Sequence, residues 1–217
     1  TKLPNTDISV SKICLGTMTF GKQNSENESH SQIDFSLDRG INFLDTAELY
    51  PVPADNSTYG DTERIIGSWI KKSSKREKIV LASKIVGPGS YTAHIRKKNH
   101  FSPNNLRRAL EKSLERLKTD YLDLYQLHWS ERQTNNFGIR GYKFSPSEDT
   151  WTDNFEEILI TLNDLIKEGK IRSIGLSNEN PGGIMRCLNL SKKCSPKSIT
   201  EQYPYNLLTR LREVGST

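Results

Sequence analysis

Cysteine is scarce in this sequence, and the three present, Cys14, Cys187 and Cys194, are odd in number and stand in no Cys-x-x-Cys or Cys/His ligand spacing. That pattern disfavours a disulfide framework and a zinc site, so the thiols read as reduced and no metal is expected. Long apolar runs are missing too. The chain of 217 residues, 34% of them hydrophobic, can bury one sizeable core but offers no transmembrane span. Its first residues, "TKLPNTDISVSKICLG", lack the basic start and apolar block of a secretory signal. The expectation is a cytoplasmic protein that engages no membrane. Nor do aromatic residues alternate with the basic ones, as a platform for stacking bases would require. The net charge of +5 sits instead in local runs, Lys71 to Lys78, Arg96 to Lys98 and Lys192 with Lys193, each where a helix ends or a loop begins. Lysines there are solvated and favoured by the helix dipole, so no nucleic-acid partner is expected.

What the sequence does contain is alternation. Strand-like runs, "KICLGTMTF", "INFLDTA", "IVLASKI", "YLDLYQLH", "IRSIGLSN" and "SITEQYPYN", are separated by stretches with helical spacing. Among the latter, "HSQIDFSLDRG" closes on Gly40, and "DTERIIGSWIKKS" repeats Ile65, Ile66, Trp69 and Ile70. The clearest helix begins at Ser102, which can cap it; Pro103 suits its first turn, and Leu106, Leu110, Leu114 and Leu117 line one face. "NFEEILITLNDLIKEGK" and "GGIMRCLNLSKKC" supply two more helices. Strands alternating with helices predict an α/β architecture with a parallel sheet.

An open doubly wound sheet and a closed (β/α)8 barrel both satisfy that order. A dinucleotide-binding open sheet carries a GxGxxG after its first strand, and none is present; "GPGSYT" at Gly87 follows the third strand and lacks the third glycine. Chemically useful side chains instead recur at the C-terminal ends of successive strands: Asp45, Lys84, His128, Ser177 with Asn178, and Gln202. A barrel brings those ends together at one mouth, where its active sites lie. The predicted fold class is therefore the TIM barrel, with about six of its eight strands in the chain.

Four of these groups suggest chemistry. The run "GINFLDTAELYP" delivers Asp45 from a strand end and Tyr50 from the turn that follows. A tyrosine hydroxyl titrates near pH ~10 and is a poor acid at neutrality unless a cation stabilises its phenolate. Lys84 can be that cation, and Asp45 can keep a buried Lys84 charged. His128 can donate a hydrogen bond to an oxygen that becomes negative. Together they could protonate an oxygen while hydride reaches the adjoining carbon. Taken singly, each has a plainer reading: a loop carboxylate, a strand-end charge, a packed imidazole beside Trp129.

With "LGTMTFG", "GINFLDTAELY", "LASK", "TDYLDLYQLHW", "GKIRSIGLSN" and "QYPYNLL" in place, the chain resembles the aldo-keto reductase superfamily along nearly its whole length. Its loop "HWSERQTNNFGIRGYKF" and turn "ELYPVP" are similar to those of bacterial Tas-type reductases. The resemblance implies NADP(H)-dependent reduction of a small-molecule aldehyde or ketone, with a catalytic tetrad falling on Asp45, Tyr50, Lys84 and His128. It implies cofactor contacts from Gly16, Thr17, Met18, Gln23, Asp45, Ser177, Asn178 and Gln202, and substrate contacts from Tyr50, His128 and Trp129. Asn178 and Gln202 suit a carboxamide, which needs both donors and acceptors.

Residues 1–217 read as a single barrel domain that is incomplete at its C-terminus, since eight strands need about 250 residues. In the family, the part beyond carries the aromatic residue that stacks on the nicotinamide and the basic loop that grips the adenosine 2′-phosphate. Further residues beyond Thr217 are expected on this reading. The alternative function is a non-catalytic binding protein on the same scaffold, resembling potassium-channel beta subunits, or a truncated pseudoenzyme. Ser130 to Asp149, long, polar and glycine-bearing, with Phe137, Tyr142 and Phe144, is expected to form a flap over the substrate side.

Overall fold

Local signals set the elements before packing does. Ser25 starts α1 (Glu26–Asp38) with a capping box: its Oγ accepts from the Glu28 amide while the Glu28 carboxylate accepts from the Ser25 amide. Ser102 caps α3 (Pro103–Leu117) with a single side-chain bond, its Oγ accepting from the Asn105 amide. Leu106, Leu110 and Leu117 of α3 are fully buried, as the helical spacing predicts. The other helices are α2 (Asp61–Ser73), α4 (Phe155–Lys167) and α5 (Pro181–Cys194). In the computed structural model, residues 1–137, 142–145, 151–194 and 199–210 are described, with the side chain of Cys194 left aside.

Between the helices run β1 (Cys14–Gly16), β2 (Phe43–Asp45), β3 (Val80–Ile85), β4 (Leu122–Leu127), β5 (Ile171–Ser177) and β6 (Ile199–Gln202). They form one parallel six-stranded sheet in sequence order. Register levels their C-terminal ends: Gly16 opposes Asp45, Lys84 opposes Gln126, and Ser177 opposes Gln202. The sheet is curled. In a flat sheet β2 and β6, four strands apart at ~4.8 Å each, would be separated by about 19 Å. Yet the side-chain amide of Gln202 donates to Asp45 Oδ2 across 3.2 Å. The result is a partial (β/α)8 barrel whose edges, among the described residues, are β1 and β6.

The strands are shorter than the apolar runs that announce them. β1 ends at Gly16, where the Thr17 amide makes a last ladder bond to the Asp45 carbonyl at 3.1 Å and its hydroxyl donates to the same oxygen at 2.8 Å. β6 likewise covers only the first part of "SITEQYPYN". The main core lies between sheet and helices, where Ile66, Trp69, Leu81, Leu110, Tyr125, Leu159 and Ile174 are buried. A smaller cluster of Leu3, Ile8, Val10 and Val80 sits at the N-terminal ends of the strands. No helix among the described residues is long and apolar enough to cross a membrane.

Candidate active site

Asp45, the last residue of β2, is nearly buried and meets three donors. Lys84 Nζ lies 2.7 Å from its Oδ2, Gln202 Nε2 3.2 Å from the same oxygen, and Gln126 Nε2 3.3 Å from Oδ1. Lys84, 1% exposed, spends a second hydrogen bond on the Thr46 carbonyl at 2.9 Å. Burial would strip its proton, but the Asp45 charge, with Tyr50 behind it, overcomes this and holds its pKa above the usual value. The ammonium form persists as the sequence led one to expect.

The turn that carries Tyr50 continues the β2 ladder, with the amides of Thr46 and Glu48 donating to the carbonyls of Ala82 and Lys84. It then reverses where the Tyr50 amide donates to Ala47 O at 3.1 Å. Lys84 Nζ sits 5.1 Å from the centre of the Tyr50 ring. Burial pushes the phenol's pKa up, and Lys84 opposes that push without reversing it. The direction expected of Lys84 is therefore present, but desolvation outweighs it. His128 follows β4 and packs edge-on against Tyr50, the rings 5.6 Å apart and 80° inclined. Burial, and then the Lys84 charge, hold its pKa well below the usual imidazole value. It is neutral, so one ring nitrogen can donate; Nδ1 is buried without a hydrogen-bond partner.

The four residues of the expected tetrad thus converge on one mouth. Trp129 is also there but buried, its indole nitrogen donating to Pro88 O at 2.9 Å. It forms a wall rather than offering a polar contact, flanked by Tyr91 and Phe137 at 5.6 and 5.8 Å. Of the flap expected over residues 130–149, positions 138–141 and 146–149 lie outside the described residues.

The expected cofactor contacts separate into two groups. Gly16, Met18 and Gln23 are exposed around the end of β1, and an added Cβ at Gly16 would meet nothing within 4 Å. That open space beside Asp45 fits a ligand. Asn178, at a φ of 54°, spends its side-chain amide on the His128 carbonyl and on Ser177 Oγ, both at 3.0 Å. Gln202 is engaged with Asp45 and, as acceptor, with Gln126 at 3.4 Å. Thr17 and Ser177 are buried. Of the expected contacts, Asn178 and Gln202 are therefore already tied into the protein, while Gly16, Met18 and Gln23 are exposed.

Gln126 was not anticipated, though its signal was in plain view. Along "YLDLYQLH" the side chains alternate, so Leu124 and Gln126 face the barrel interior together with Cys14, Phe43, Asp45, Thr200 and Gln202 around a cavity of about 270 Å³. The buried pair of Glu48 with Arg96 was missed as well, because no local pattern links residues so far apart in the chain.

A curled parallel sheet with an acid, a lysine, a tyrosine and a neutral imidazole at its C-terminal mouth defines a partial (β/α)8 barrel with a candidate acid–base site. The aldo/keto reductase family profile matches residues 12–215, and the chain belongs to that family. It is 46% identical to Protein tas of Escherichia coli (strain K12), covering 99% of this chain and 62% of that protein. It is 35% identical to the uncharacterized oxidoreductase YrpG of Bacillus subtilis, covering 99% of this chain and 60% of that one. The chain thus spans less than two thirds of the length of these relatives. Among solved structures, a thermostable aldo-keto reductase, Tm1743, in complex with the inhibitor epalrestat superposes with a TM-score of 0.72 at 28% identity. That superposition covers 99% of this chain and 65% of the other.

Proposed function

We propose that the protein is an NADP(H)-dependent oxidoreductase that reduces aldehydes or ketones to alcohols, with Tyr50 as the proton donor. The observation that carries this reading is the convergence of Asp45, Lys84, Tyr50 and His128, with Lys84 bonded to Asp45 at 2.7 Å and lying against the Tyr50 ring. A bound nicotinamide would supply the hydride to the carbonyl carbon. Gly16, Met18, Gln23, Asn178 and Gln202 would hold it, Asn178 and Gln202 exchanging present partners for a carboxamide. Tyr50 would pass its phenolic proton to the carbonyl oxygen, so that hydride and proton together give the alcohol. Lys84 would stabilise the phenolate left behind, and Asp45 would keep Lys84 charged. The neutral imidazole of His128 would donate a hydrogen bond to the same oxygen as its charge grows.

The non-catalytic alternative gives no reason for all four side chains to meet in one buried cluster. The test is oxidation of NADPH by the full-length protein against a panel of small aldehydes and ketones, with NADH run in parallel. Turnover with NADPH is expected; tight cofactor binding without turnover on any carbonyl would favour the binding-protein reading.

A further inference from the structure

Behind the tetrad lies an ion pair that the proposed chemistry does not use. Glu48, two residues before Tyr50, is fully buried, and both of its oxygens are occupied. Arg96 grips them with Nη1 and Nη2, each at 2.7 Å, and the Val86 amide donates to Oε1 at 2.7 Å. Arg96 belongs to the loop between β3 and α3. The same loop supplies Pro88, which accepts from the Trp129 indole, and Tyr91, which packs on that indole. Leu49 packs with Val86 and Trp129 in a cluster that Tyr50 and Ile95 join. One carboxylate therefore ties the tyrosine-bearing turn both to the end of the lysine-bearing strand and to the loop that walls the mouth.

We propose that Glu48 and Arg96 are positioning residues: a buried, bidentate latch that fixes Tyr50 at its place against Lys84 and His128. Burying two charges is costly; here both Glu48 oxygens are satisfied by the two Arg96 nitrogens and the Val86 amide, while Arg96 Nε is buried without a hydrogen-bond partner. A planar guanidinium gripping a carboxylate with two bonds fixes direction as well as distance, which a lone lysine cannot do. A turn held only by its backbone hydrogen bonds would leave the ring free to shift, and proton transfer tolerates little displacement.

This inference rests on the reductase reading, so wild-type turnover is established first in the full-length protein. Glu48→Gln removes the charge and sets an amide NH₂ against the guanidinium. It is expected to lower kcat by about 10- to 100-fold with NADPH affinity by calorimetry unchanged. Arg96→Lys, which keeps the charge but loses the planar grip, should fall between, and it carries the same measurements if Glu48→Gln does not fold. A second readout needs no turnover. With 3-fluorotyrosine incorporated, the Tyr50 ¹⁹F resonance, assigned by its loss in Tyr50→Phe, should be a single sharp line in the wild type and broadened or split in the variants. A folded variant with wild-type kcat and an unchanged line overturns the latch, as does a fall in kcat that tracks lost cofactor affinity with the line unchanged. Should the wild type reduce no carbonyl, the reductase reading fails while the resonance still decides the latch.

Discussion

In the proposed reaction Tyr50 would have to keep its proton until the carbonyl oxygen beside it turns basic, and the burial around it favours the protonated form. Its raised pKa means that the acid form is complete at neutrality and is lost only as pH rises through that raised value. The rate of carbonyl reduction is therefore expected to stay flat through neutral pH and to fall only in the alkaline range, above the phenol's ordinary value near ~10. Tyr50→Phe should cut kcat by about 10²- to 10⁴-fold while calorimetry shows NADPH still bound. Retained turnover would move the proton donor elsewhere. Lys84→Met removes the one influence that lowers the tyrosine's pKa, so the alkaline limb of the pH profile should move up as kcat falls; an unmoved limb would break the coupling. At this scale the sequence was most legible where one residue type has one job. Asp45, Lys84, Tyr50 and His128 stand at strand ends or the turn beyond, where a barrel mouth collects them. Burial at Tyr50 was illegible, because it is made by Leu49, Val86, Ile95 and Trp129 from three separate stretches.

Helix and strand types followed from period and caps, while their lengths did not. The run through Thr17 has strand composition, yet after the Thr17 amide and hydroxyl have both donated to Asp45 O the ladder ends, and no local pattern announces that stop. Packing between helices has the same character. At Gly67 in α2, an added Cβ would lie 2.1 Å from the carbonyl oxygen of Arg116 in α3, so the two helices touch where that glycine sits. Its helical spacing shows a residue in the middle of α2 but not that α3 rests against it. Gly67→Ala should force the helices apart and lower stability by about 1–3 kcal/mol, read from the urea midpoint. A variant with wild-type stability would show that α2 and α3 can separate freely. The nearby Arg116, which bonds Glu63 Oε2 at 2.6 Å, should feel the same displacement.

Across the whole molecule, the parallel order of six strands with five helices between them was legible from alternation alone, and curling into a barrel from the useful groups at successive strand ends. The two edges left open among the described residues have consequences that composition does not reveal. Ile13 beside β1 is 65% exposed, and Leu207 and Leu208 beyond β6 are 93% and 88% exposed. Unpaired strands flanked by apolar side chains invite association. Residues 1–217 expressed alone are expected to self-associate in sedimentation velocity, and Ile13→Lys to reduce it; a monodisperse monomer at high concentration would show these edges to be inert. The clasp between Gln202 and Asp45 also bears on the order in which the protein comes into being. Lys84 follows Asp45 by 39 residues, but Gln202 follows it by 157. Chains leave the ribosome N-terminus first, so Asp45 can find its lysine long before its distant amide partner has been made. The Lys84 ammonium then has its counterion from early in synthesis, and β6 arrives at a charge that is already neutralised.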